Sequence, residues 1–378
     1  MIDYEVLRVI WWILVGVLLI GFAITDGFDL GVGSLLTIIG RTDDERRVMI
    51  NTIGPHWDGN QVWFITAGGA IFAAWPMIYA TAFSGFYIAL FLTLAALWMR
   101  PIGFDYRSKL PSDKWRKGWD WALFAGGFVP SLIFGVAFGN LLLGVPYEFD
   151  STLKSTYTGS FFGLLNPFAI LTGLVSVSLL LNHGATFLQM KTDGFIEMRA
   201  RATSMVLSLA TVLLFILAGI WVAFGIDGYV ITSVVDTMAV SNPTAKTVVT
   251  ESGAWMNNYS LYPWMIAAPV LGIAGGLACA FFSKLGRAGW AFVSSSAMIA
   301  GVILTAGFSM FPFLMPSSTV PGNSLTMWDA TSSEFTLKVM FVVACIFVPI
   351  VLAYTAYAFY VMRGRVKQSD LNKSHAIY

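Results

Sequence analysis

Apolar residues run through this chain in long stretches, and polar residues gather between them in short segments that carry most of the charge. About 20 apolar residues suffice for a helix to cross a bilayer. On that measure, spanning helices are expected near 9–38, 57–75, 79–100, 119–143, 161–190, 203–225, 261–282, 289–312 and 336–361. The second and third are separated only by Trp75-Pro76-Met77, which predicts a tight hairpin. The first, fifth and ninth are long enough to tilt or protrude. No linker or low-complexity tract interrupts the pattern, so residues 1–378 read as a single transmembrane domain. The N-terminus carries Asp3, Glu5 and Arg8 without a basic leader and small-residue cleavage site, so the first span is expected to stay in place.

Basic residues orient the bundle. Of the 22 lysines and arginines, 18 fall in the segments after spans 1, 3, 5 and 7 and in the C-terminal tail; the others are Arg8, Lys154, Lys246 and Lys338. Positive charge concentrates on the cytoplasmic side. The bias therefore predicts an odd number of spans, the N-terminus outside and the C-terminus in the cytoplasm. Dropping segment 57–75 would put the clusters at 41–47 and 100–117 on opposite sides, which favours nine spans over eight.

Composition agrees. Hydrophobic residues make up 57% and charged residues 11%, with mean hydropathy +0.73. A soluble domain carries about 25% charged residues, so the bilayer is the solvent. The net charge of +1 leaves no footprint for nucleic acid. Cys279 and Cys345 sit in apolar runs and read as small hydrophobes. With three histidines and no ligand-spaced pair, no metal site is expected in this chain, and any metal ligands must come from a partner.

Three polar clusters interrupt the apolar pattern. In Ile24-Thr25-Asp26-Gly27-Phe28-Asp29-Leu30-Gly31, the two aspartates are three apart and share a helix face. Placing both at the bilayer centre costs about 5–7 kcal/mol, so that face should meet protein, water or a cation, either as a packing carboxylate pair or as part of an ionic or protonic path. Gly54-Pro55-His56-Trp57-Asp58-Gly59-Asn60-Gln61 opens the second span. Asp58 suits a helix N-terminus, yet His56, Asn60 and Gln61 in the same two turns suggest a hydrated inlet. Arg100 closes the third span before Pro101, which is expected to end the helix. It either snorkels to the interface or pairs with a buried carboxylate such as Asp29 or Asp58, or with a propionate of a bound haem. Asp105 and Asp120 lie on the same side. His183 is the histidine well inside a span, but one axial ligand does not define a haem site, and His375 lies in the polar tail. Leu325–Ser333 is suited to capping the last span. No phosphate loop, dinucleotide fingerprint, zinc motif or Ser-His-Asp order is present.

Several of these segments carry a family resemblance: Phe22–Asp29, Pro55–Trp63, Arg100-Pro101 with Phe104-Asp105-Tyr106-Arg107, Gly225-Ile226-Asp227-Gly228-Tyr229, and Phe311–Ser318. Together with the rest of the chain, over nearly its whole length, they resemble subunit II of the bacterial cytochrome bd quinol oxidases, most closely the ubiquinol-oxidising enterobacterial type. The resemblance implies an all-α polytopic protein of about nine transmembrane helices, arranged as two four-helix bundles plus a peripheral helix. It implies a bacterial inner-membrane complex that oxidises ubiquinol, reduces dioxygen to water and generates proton motive force. Two haems b and one haem d would be ligated by subunit I, and a small single-helix subunit, membrane lipids and quinone would be further partners. By residue, the resemblance implies a proton pathway through Asp58 and Asp105, oxygen access at Trp63, and support of a haem pocket across the interface by Asp29, Arg100 and Asp120. Asp26 joins the proton pathway on burial grounds. No catalytic residue is expected in this chain itself. A proton-coupled secondary transporter using Asp26, Asp29 and Asp58 is the alternative, although no repeat relates the two halves. A purely structural partner is the third reading.

Overall fold

The computed structural model describes residues 2–372; Lys373 and His375 lie outside the described residues. Among the described residues there are twelve α-helices: α1 (Tyr4–Ile39), α2 (Asp43–Ile53), α3 (Trp57–Ala74), α4 (Pro76–Gly85), α5 (Tyr87–Tyr106), α6 (Asp113–Leu143), α7 (Pro167–Lys191), α8 (Gly194–Gly225), α9 (Asn257–Leu261), α10 (Ala267–Lys284), α11 (Ala288–Met310) and α12 (Glu334–Val361). Among the described residues, eight are long and apolar enough to cross a membrane, or nine if the bent pair α3–α4 counts as one span.

Two four-helix groups form. In the first, α1 packs on α3 and α6, and α6 on α5; in the second, α7, α8, α10 and α11 pack in a ring. They join where α7 lies against α1 and α6. Glycines make that junction close: a Cβ on Gly31 would stand 2.2 Å from the Leu180 carbonyl oxygen, and one on Gly184 would stand 2.5 Å from the Gly31 backbone. Without side chains the two backbones touch, which maximises dispersion contact in a setting where hydrophobicity alone does not drive helices together. Helix α12 is peripheral, against α1 and α3, with Leu337 its one buried residue among those described. Its Ser333 caps it, accepting from the Thr336 amide at 3.3 Å.

Two local features differ from the sequence expectation. The turn at Trp75 is a 120° bend into a separate short helix, α4, which Phe86 separates from α5. Apolarity alone does not distinguish residues 76–85 from the span that follows. Pro101 does not end α5, which continues to Tyr106. Proline removes one backbone donor, but Phe104 packs in the core beside Leu123 and Arg107 binds Asp120, so the last turn is held by tertiary contacts.

The two ends of the bundle are built differently. Helix α2, the C-terminus of α5 and the N-terminus of α6 crowd one end, where Arg199 of α8 binds both Glu45 and the Ile39 carbonyl. Three small antiparallel hairpins close the other: Tyr147–Phe149 with Ser155–Tyr157, Asp227–Ile231 with Val248–Ser252, and Phe313–Met315 with Leu325–Thr326. The motifs at Gly225–Tyr229 and Phe311–Ser318 belong to this hairpin cap. Fully buried Arg8 fastens it, donating to Thr331 Oγ1 at 2.9 Å and to the Ala239 carbonyl at 2.9 Å.

Candidate functional site

Two clusters of aspartate and arginine lie in the first bundle, one between α1 and α5 and the other between α2, the end of α5 and α6. In the inner one, Asp26 and Asp29 of α1 stand one turn apart and face Arg100 of α5. Arg100 meets Asp26 as a fork, Nη1 to Oδ2 at 3.0 Å and Nη2 to Oδ1 at 2.6 Å. Asp29 Oδ2 lies 3.8 Å from the same Nη2 and accepts from Asn60 Nδ2 of α3 at 2.8 Å. Gly126 of α6 makes room for the arginine stem, since a Cβ there would sit 3.0 Å from Arg100 Cγ. Asp26, Asp29 and Arg100 are 0%, 1% and 2% exposed, so these side chains depend on protein partners rather than on solvent. Asp26, rather than the expected Asp29 or Asp58, is the principal partner of Arg100.

The outer cluster lies at the α2 end. Arg107 Nε donates to Asp120 Oδ1 at 2.6 Å, and Arg46 Nη1 donates to Asp120 Oδ2 at 2.7 Å. Arg107 Nη2 also reaches Asp43 at 2.8 Å, and Arg116 holds the other oxygen of Asp43 at 2.8 Å. Asp120 is buried by these contacts rather than solvated in a loop. Nearby, Thr42 caps α2 in a capping box with Glu45. Partial burial pushes the Glu45 carboxyl up, but the Arg199 guanidinium and the Arg41 and Thr42 amides outweigh it and hold the group below its ordinary value.

The remaining site residues are spread more widely. Asp58 and Asp105 are exposed on α3 and α5 at the α2 end. Neither is hydrogen-bonded to Asp26, which is committed to Arg100. Trp63 of α3 is half-buried against Gly21, whose Cβ would meet its ring at 2.6 Å, and packs in one apolar cluster with Phe22 and Phe64. Phe22 and Phe64 also line an apolar cavity of about 640 Å³ between the bundles, with Leu19, Phe134, Leu179 and Phe215. The pairing of Asp43, Arg46, Arg107 and Arg116 was not legible from spacing, because partners 64 to 74 residues apart meet only when α2, α5 and α6 pack.

Two of the histidines are accounted for by local contacts. His183 has Nδ1 2.7 Å from Ser295 Oγ and Nε2 2.9 Å from the Ile24 carbonyl, so both ring nitrogens are occupied. His56 lies flat on Phe359, ring centroids 4.7 Å apart. No group of three or more His, Cys, Asp or Glu among the described residues is placed to hold a metal ion. His183, the histidine inside a span, has neither ring nitrogen free for a haem iron.

Fold and site define a polytopic helical membrane subunit whose polar chemistry rests on acid–arginine pairs. The family model described as "Cytochrome bd terminal oxidase subunit II" matches residues 7–362. The chain is 58% identical over 379 residues to the Cytochrome bd-I ubiquinol oxidase subunit 2 of Escherichia coli, covering 100% of both. It is 34% identical over 366 residues to the Cytochrome bd ubiquinol oxidase subunit 2 of Bacillus subtilis, covering 96% of this chain and 97% of that one. Its fold is similar to a chain of the bd oxidase from Geobacillus thermodenitrificans, with TM-score 0.67, 18% identity and coverage of 94% and 97%. The chain belongs to the cytochrome bd terminal oxidase subunit II family, and is a multi-pass membrane subunit of a haem-containing quinol oxidase complex that includes subunit I.

Proposed function

We propose that this subunit supplies proton and oxygen access to a complex oxidising ubiquinol in the bacterial inner membrane, while subunit I ligates two haems b and one haem d. Asp58 and Asp105 accept protons at the α2 end, and Trp63 borders the apolar route for dioxygen. The observation that carries the proton reading is the exposure of both carboxylates at the end richest in basic residues. That end is cytoplasmic by the positive-inside rule, with the N-terminus outside. Their exposure suits a surface that subunit I covers, leaving a hydrated seam between the chains. For oxygen, the apolar lining shared by Phe22 and Phe64 beside Trp63 favours a small nonpolar gas. Asp29, Arg100 and Asp120 support the haem pocket indirectly, by fixing how α1, α5 and α6 present their surface to subunit I. Membrane lipid covers the apolar flank of α12, and a small single-helix subunit completes the complex.

The test is Asp58→Asn in the assembled oxidase. Turnover should fall about tenfold, equal to about 1.4 kcal/mol on the barrier, with the reduced-minus-oxidised haem spectrum unchanged. Wild-type turnover in this variant removes Asp58 from the pathway.

A further inference from the structure

The inner cluster does not balance its charge. Two carboxylates, Asp26 and Asp29, meet one guanidinium, Arg100, with all three side chains 3% exposed or less. If both acids were ionised, one negative charge would stand buried and uncompensated, at a cost of several kcal/mol. Among the described residues no other charge offsets it. From α3, Asn60 is neutral, His56 stacks on Phe359 and Asp58 faces outward. From α6, Asp120 is tied to Arg46 and Arg107. From α7, His183 is bound to the Ile24 carbonyl and to Ser295 of α11, while Lys191 donates to the Met362 carbonyl. All three side chains are buried by this chain itself.

The hydrogen bonds show which acid holds the missing proton. Both oxygens of Asp26 accept from Arg100, so protonating Asp26 would break the fork. Asp29 keeps one oxygen on Asn60, and among the described residues no donor reaches its Oδ1. Asp26 and Asp29 stand one turn apart on the same helix, and a carboxylate only accepts, so neither can satisfy the other while both are ionised. We infer that Asp29 is a proton-binding site inside the first bundle and is neutral, while Asp26 is the fixed counter-ion of Arg100. This deepens the proton-access reading and rests on it for its role in turnover. It also moves the proton-holding function within α1 from Asp26 to Asp29. The protonation itself stands on the cluster's geometry.

Infrared spectroscopy of the purified oxidase complex tests it. The wild-type complex should show a carboxylic-acid carbonyl band that shifts in D2O and on 13C labelling of aspartate carboxyls. Asp29→Asn should lose a component of that band and lower the melting temperature less than Asp26→Asn, because it replaces a neutral acid with a neutral amide of the same shape. No aspartate acid band in the wild type, or an unchanged band in Asp29→Asn, overturns the inference. So does failure of Asp29→Asn to assemble where Asp26→Asn assembles. The two readings fail separately: wild-type turnover in Asp58→Asn sinks the surface pathway and leaves the Asp29 proton standing. An absent acid band with slow Asp58→Asn turnover does the reverse.

Discussion

The inner and outer clusters use the same two residue types and both draw an arginine from the α5 segment, yet their charge balance and depth differ. The inner cluster sets two aspartates against one arginine, sealed from solvent. The outer sets Asp43 and Asp120 against Arg46, Arg107 and Arg116, several of them partly exposed. Excess positive charge at a wet surface is screened, so the outer cluster can fasten α2, α5 and α6 without a proton being taken up. Excess negative charge in a dry interior has no such outlet and draws a proton. The same pairing chemistry is therefore a clamp at one depth and a titratable site at the other.

Removing the shared cation breaks the comparison most sharply. Arg100→Ala leaves the buried Asp26 carboxylate without its counter-ion and should cost about 3–5 kcal/mol, the range for breaking a buried pair. The readouts are the yield of assembled complex and a disturbed haem spectrum; near-normal yield would show that the inner cluster is not sealed. Asp120→Asn should cost less, about 1.5–3 kcal/mol for the loss of charged hydrogen bonds from Arg107 and Arg46, because Arg107 keeps Asp43. Thermal melting of the complex checks it, and a loss as large as that of Arg100→Ala would erase the distinction between the clusters.

The smallest effect is expected at Glu45, where the Arg199 pair is near the surface and contributes about 0.2–1 kcal/mol. Its carboxyl is held below the ordinary value of 4.5. A depressed carboxyl contributes stability that is present above the unfolded value and lost as pH falls through the folded one. Acid melting curves of the wild-type complex should therefore steepen below pH 4.5, and Glu45→Gln should flatten that limb. Identical acid limbs would mean that the Arg199 contact is not maintained in the complex.

Much of the helical architecture was legible because a bilayer imposes a length and an apolarity on each span that any chain must display. Asp26 and Asp29 were legible as an inward-facing pair for the same reason: hydrocarbon penalises them and their spacing puts them on one side of a helix. Pro76 announced a break but not the extra helix behind it, since α4 and α5 are equally apolar. Pro101 suggested a helix end that Phe104 and Arg107 overrode from outside the helix. His183 could be read as a ligand until Ser295, 112 residues away, was seen against its ring.

The sequence by itself determined that this chain lives in a membrane, how its basic end is charged, and that its intramembrane acids need partners, because those follow from transfer energies that each segment carries alone. Only the tertiary structure decided which acid meets Arg100, which is left to hold a proton, and that Asp120 is clamped while Asp58 and Asp105 face outward. Those outcomes depend on helix rotation and close glycine contacts between segments far apart in the chain, and no local pattern encodes them.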